Sequence, residues 1–161
     1  AYSSAVGRIG YVAAPKEYIA VLNKIHQHNT TCAPSCVQKA AIAAFREETD
    51  EVENMVREYE ERRNCAVKAI NSIPGLSCLT PKGAFYIFTN IKALGHSRAW
   101  MAEYLLNEGK VALVPGDVFG PGGEGYLRLS FAASMDAVRE GCLRSAEAVK
   151  NSATSSVLPS T

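Results

Sequence analysis

Charge of one sign is what this 161-residue sequence lacks most plainly, with 17 Lys and Arg against 16 Asp and Glu and a formal net charge of +1. That balance creates no long-range field to gather polyanions, which excludes nucleic acid and anionic membrane surfaces as first expectations for partners. Long apolar runs are also missing. Lys, Arg or Glu interrupts every helix-like stretch, far short of the roughly 20 apolar residues of a membrane-spanning helix. The five cysteines, Cys32, Cys36, Cys65, Cys78 and Cys142, are odd in number and follow no secretory pattern. They argue for a reducing, cytoplasmic setting and against a disulfide framework. There is no internal repeat. The chain begins Ala1-Tyr2-Ser3-Ser4, without an initiator Met or a targeting segment, and reads as a piece of something longer.

What is present, 47% hydrophobic and 20% charged residues, is the composition of a soluble globular protein and not of a disordered or fibrous one. Ile9 to Ala13 is apolar and β-branched, which predicts a buried strand. Pro15 opens a helix in which Tyr18, Ile19, Leu22 and Ile25 recur at three and four residues, up to His26-Gln27-His28-Asn29. A second helix is expected over Pro34 to Glu47. From Thr49 a charged amphipathic stretch keeps the helical period through Val52, Met55, Val56, Tyr59, Ala66, Val67, Ile70 and Ile73, until Pro74-Gly75 stops it. Its length suits a bridge between two domains, with a boundary near Glu47 to Asp50.

Beyond it, Leu76 to Leu79 and Ala84 to Thr89 read as a hairpin around Thr80-Pro81-Lys82-Gly83. Ser97 can cap a helix running to Gly109, with Trp100, Met101, Tyr104 and Leu105 inward. Val111 to Val114 and Tyr126 to Phe131 read as further strands, joined by the glycine-rich stretch Pro115 to Gly125, expected to be a flexible connection that shapes a pocket. Ser134 can cap a last helix ending near Lys150, followed by a frayed tail over 151–161.

Few residues offer chemistry. Arg128 shares a strand face with Tyr126 and Ser130, while Leu127, Leu129 and Phe131 occupy the other. A guanidinium so placed needs an anion, either a structural Asp or Glu or a bound carboxylate that its planar fork matches bidentately. Arg8, beside Gly7, can be an ordinary surface arginine or a phosphate ligand. The glycine-rich stretch lacks the Lys-Ser or Lys-Thr ending of a nucleotide loop. His26, His28, Cys32 and Cys36 do not follow a paired zinc spacing, so no metal is assigned. No G-x-S-x-G elbow is present.

Several blocks together resemble the C-terminal part of class I/II aminotransferases, pyridoxal 5'-phosphate (PLP) enzymes of the aspartate aminotransferase fold (fold type I). They are Arg8-Ile9-Gly10-Tyr11, Gly83-Ala84-Phe85-Tyr86-Ile87-Phe88, Val111-Ala112-Leu113-Val114-Pro115-Gly116 with Phe119-Gly120, and Tyr126-Leu127-Arg128-Leu129-Ser130-Phe131-Ala132. The resemblance implies an α/β architecture in three parts. Residues 1–48 would end the large PLP-binding domain, 49–150 would hold a connecting helix and a small C-terminal α/β domain, and 151–161 would be a flexible tail. It further implies that Arg128 grips the substrate α-carboxylate, that Arg8 holds the cofactor phosphate, and that Gly83 and Phe85 lie near the substrate entrance. The Schiff-base lysine of the family would fall one position before Ala1, which makes the 161 residues inactive alone. Amino acids and 2-oxo acids are the implied substrates, and a homodimer the implied assembly. A related PLP-dependent lyase (a C–S lyase or an aminocyclopropane-carboxylate synthase relative) and a non-catalytic amino-acid-binding or interaction module remain open at this point.

Overall fold

A computed structural model describes residues 8–47 and 50–155, with side chains through Ser152. The chain divides into two compact units, Ala1–Asn54 and Met55–Thr161.

The first unit is helical. Helix α1 spans Lys16–Asn29 and α2 spans Ser35–Arg46, preceded by Pro15 and Pro34 respectively. Neither proline has an N–H to leave unsatisfied, which suits it to a helix start. The strand expected over Ile9 to Ala13 does not form. No other strand pairs with it among the described residues, and Tyr11 and Val12 are 76% and 66% exposed. An apolar, β-branched run becomes a strand only where a ladder receives its backbone groups, and propensity cannot supply that partner. Tyr11 instead packs edge-on against Phe45, with ring centroids 5.0 Å apart.

Helix α3, Glu51–Asn71, has its first turn in the first unit and the rest in the second. It buries Ala66 and Ile70, four residues apart on one face. The second unit is then built on a three-stranded antiparallel sheet of β1 (Tyr86–Asn90), β2 (Val114–Pro115) and β3 (Tyr126–Ser130), in the order β1-β3-β2. One sheet face carries Ile87, Thr89, Leu127 and Leu129, and it packs in a core with Ile70, Met101, Leu105, Phe131, Val138 and Val149. Each such large apolar side chain contributes about 1.5–3 kcal/mol by leaving water. Helices α4 (Arg98–Asn107) and α5 (Met135–Ser155) pack on each other, and α4 also packs on β2 and β3. Both start where serine side chains accept backbone N–H donors, Ser97 from Trp100 and Ser134 from Ala137. Met101, Ala102 and Leu105 form the buried side of α4. Trp100 stays 40% exposed, stacked between His96 and Tyr104.

Three other expectations need correction. Leu76 to Leu79 is no hairpin strand. Ser77 makes a single bridge to Asn90, while the Asn71 side chain takes both the N–H and the C=O of Cys78, ending any ladder there. β1 pairs with the distant β3 instead, with Phe88 opposite Arg128. The strand expected over Val111 to Val114 shrinks to Val114–Pro115, because the Val111 N–H is spent on the Leu105 carbonyl at the end of α4. Helix α5 runs past Lys150 to Ser155. Ser152 is buried and its hydroxyl donates to the Val149 carbonyl, so its polar group is satisfied inside the helix. Residues 156–161 of the expected tail lie outside the described residues.

The described residues include no helix long and apolar enough to cross a membrane and no group of His, Cys, Asp or Glu arranged to hold a metal ion. All five cysteines are free thiols, and burial pushes the Cys142 thiol up to about 11.

Candidate functional site

Arg128 stands at the middle of β3, the central strand, flanked by Phe88 of β1 and Val114 of β2. The two-residue alternation works as the sequence predicts. Leu127 and Leu129 are buried in the core, and Tyr126, Arg128 and Ser130 face the other way. Residues directly opposite in an antiparallel pair share a face, so this face also carries Tyr86 and Phe88.

The Arg128 guanidinium is half-buried and forms no ion pair with any Asp or Glu among the described residues. Of the two readings open at the level of sequence, a structural salt bridge is therefore not the one observed. Two rings meet it instead. Its Cζ lies 4.3 Å from the Tyr86 centroid and 4.1 Å from the Phe119 centroid. Rings over a guanidinium satisfy its faces through their quadrupoles but leave the in-plane N–H donors unused. Those donors form the fork that fits a carboxylate.

The rings are held in turn. Phe119 packs edge-on against Phe88 at 5.9 Å, and Phe88 against Tyr126 at 6.5 Å. Tyr86 leans on Phe85 at 4.4 Å. Phe85 is 38% exposed, stacks on Tyr59 at 6.2 Å, and accepts the Phe131 N–H through its carbonyl at 3.0 Å. Gly83 is exposed in the bend before β1, where Ala84 adopts a left-handed φ of 58°. Phe85 is thus joined to Arg128 through Tyr86, and Gly83 lies at the outer end of the same segment.

Phe119 belongs to the stretch 116–125, and that stretch is not the flexible connection expected. Two short 3-10 turns, Gly116–Phe119 and Pro121–Gly123, fold it back on itself, and the Gly116 and Gly123 backbones meet where no Cβ would fit. Arg98 holds it at two points, with Nη2 at 2.7 Å from Asp117 Oδ2 and Nη1 at 2.6 Å from Glu124 Oε2. The hydrogen bond from Arg98 keeps the Asp117 carboxyl below the usual carboxylate range, and the same bond raises Arg98 further.

Arg8 lies in the first unit. It is exposed, has a left-handed φ of 54°, and makes no ion pair among the described residues. Of the expected site residues, the second unit links Phe85 to Arg128 through Tyr86, Gly83 is exposed two residues before Phe85, and Arg8 stands in the other unit. Sequence reasoning missed Tyr86 and Phe119 as partners of Arg128, and Arg98 as the clamp. The signal for Tyr86 is the alternation of β1, which puts it on Arg128's face once the β1–β3 pairing is known. Arg98 carries no such signal, since its acidic partners are 19 and 26 residues away.

A profile of the family "Aminotransferase class I and II" matches residues 1–144. The chain is 41% identical over 145 residues to the aromatic-amino-acid aminotransferase 2 of Thermococcus litoralis, covering 89% of this chain and 37% of that protein. It is 40% identical over 145 residues to an aspartate aminotransferase of Pyrococcus horikoshii, again covering 89% of this chain and 37% of the relative. The crystal structure of an aromatic aminotransferase from Pyrococcus horikoshii superposes with a TM-score of 0.88 at 38% identity, covering 93% of this chain and 40% of that one. The chain thus spans well under half the length of these relatives.

Proposed function

The chain belongs to the class I and II aminotransferase family, whose cofactor is PLP, and on that premise we propose that its residues anchor substrate and cofactor in an aminotransferase. The reaction is transfer of an amino group between an amino acid and a 2-oxo acid. The observation that supports it is the Arg128 guanidinium, with rings against it and its N–H fork free of any protein carboxylate among the described residues. The relatives named above are aminotransferases, which favours that activity over a lyase.

The residues present suit PLP. An exposed arginine with no acidic partner among the described residues, as Arg8 is, can receive a phosphate, and a phosphate oxygen pair suits the guanidinium fork. When bound, PLP supplies the electron sink that lets a bond at the substrate α-carbon break. The rest of the work falls to the chain. Arg128 binds the α-carboxylate, which both amino acid and 2-oxo acid carry, so one anchor serves donor and acceptor. Fixing that group restrains rotation about the α-carbon and so presents one bond to the reacting side, an effect of positioning. Tyr86 and Phe119 exclude water from the guanidinium faces, which strengthens its attraction for the carboxylate. Phe85 and Gly83 line the approach.

No base is assigned within the 161 residues, so the stretch alone is inactive in this proposal. Assembly as a homodimer is part of it, supported by the apolar side chains that α1 leaves exposed, among them Tyr18, Val21 and Ile25. A cytoplasmic setting is proposed with it.

The test is Arg128→Ala in the full-length protein. A charge-assisted pair of this kind is worth about 2–5 kcal/mol, so KM for the amino donor should rise at least tenfold. An unchanged KM would overturn the assignment. Arg8→Ala should release PLP on dialysis, read by absorbance, and full retention would count against its role.

A further inference from the structure

The ion pairs Arg62–Glu58, Arg63–Glu60, Arg139–Asp136 and Arg144–Glu140 each join residues three or four apart on one helix. Pairs of that kind are worth little. Arg98 makes two ion pairs of a different kind, both long-range. Its position is fixed at the first turn of α4, next to the Ser97 cap, and its side chain is only 27% exposed. One guanidinium therefore grips Asp117 near the start of the 116–125 stretch and Glu124 near its end.

Between those two grips the backbone is closed by hydrogen bonds. The Gly120 N–H donates to the Asp117 carbonyl at 3.0 Å and the Gly123 N–H to the Gly120 carbonyl at 3.0 Å. Phe119 lies inside this closed segment, two residues from Asp117, and its ring meets Arg128. Phe119 is itself 49% exposed, and its ring contacts are with Phe88 and Arg128. Packing alone holds such a ring weakly, so the direction of its backbone matters. We propose that Arg98 is a positioning residue for substrate binding: by tying both ends of the 116–125 stretch to α4, it sets Phe119 against Arg128 and thereby aims the Arg128 fork at the substrate carboxylate. The proposal rests on the reading that Arg128 holds that carboxylate.

The alternative is that Arg98 serves stability only. The two are separated in the full-length, PLP-loaded protein with Arg98→Ala, Arg98→Lys, Asp117→Asn and, in parallel, Arg128→Ala. The donor is the proteinogenic amino acid with the highest wild-type kcat/KM, and the control is the primary amine that lacks its α-carboxylate. Arg98→Ala should raise KM for the amino acid about tenfold, on the order of one lost cation–ring contact, with a smaller change in kcat. The ratio of kcat/KM for amino acid to that for amine should fall by a similar factor, and Arg98→Lys should restore part of it. A purely stabilising Arg98 would lower the melting temperature and leave both KM and the ratio unchanged, which overturns the proposal. Should Arg98→Ala fail to fold, Asp117→Asn carries the same expectation and the same refutation. If Arg128→Ala leaves KM unchanged, the carboxylate reading itself falls. If Arg128→Ala raises KM and the Arg98 and Asp117 variants do not, only the positioning role falls.

Discussion

Gly116 and Gly123 pack backbone against backbone across the two 3-10 turns, so closely that a Cβ on Gly123 would overlap the Gly116 carbonyl. Neither glycine is needed for a left-handed φ; each is needed for the approach.

Gly123→Ala should therefore force the turns apart and lower stability by about 1–3 kcal/mol, as overpacking does. Gly122→Ala, one residue away, meets nothing within 4 Å and should be close to neutral. Urea unfolding of both variants measures the difference, and equal midpoints would show that the close contact does not constrain the fold.

Thr89 offers the opposite sign. Its side chain is 2% exposed on the core face of β1, and its hydroxyl has no hydrogen-bond partner among the described residues. An unsatisfied buried hydroxyl costs about 1–3 kcal/mol, and valine keeps the branched shape without it. Thr89→Val should raise the melting temperature. A lower one would mean that the hydroxyl is satisfied in solution.

The Asp117 carboxyl titrates below its ordinary value of 3.8 because Arg98 hydrogen-bonds to its charged form. A depressed folded-state pKa contributes stability that is present above the unfolded value and lost as pH falls through the folded one. Wild type should thus be more stable than Asp117→Asn at pH 7, and the gap should close as pH drops below about 3.8. Melting curves of the two proteins from pH 7 to pH 3 give the comparison, and a gap independent of pH would show that the charge of Asp117 contributes nothing.

Local signals read well here because their causes are local. The period of α3, the serine caps of α4 and α5, and the alternation of Leu127, Arg128 and Leu129 each depend on neighbours within a few residues. The aminotransferase blocks are likewise continuous runs, so the family could be recognised from sequence. Arg128 stood out as a site candidate because it is a charge on one face of a strand whose other face is apolar.

Pairings across long separations could not be read in the same way. Ile9 to Ala13 has strand composition and no ladder, and Leu76 to Leu79 loses its ladder to the side chain of Asn71. The sequence by itself determined which residues could form helices and which strand carries the arginine, since both follow from backbone geometry and nearest neighbours. Only the tertiary structure decided that rings rather than an acid meet Arg128, and that Arg98 reaches two acids 19 and 26 residues away. Such contacts depend on how the chain folds back, and no local pattern encodes the closing of a loop that long.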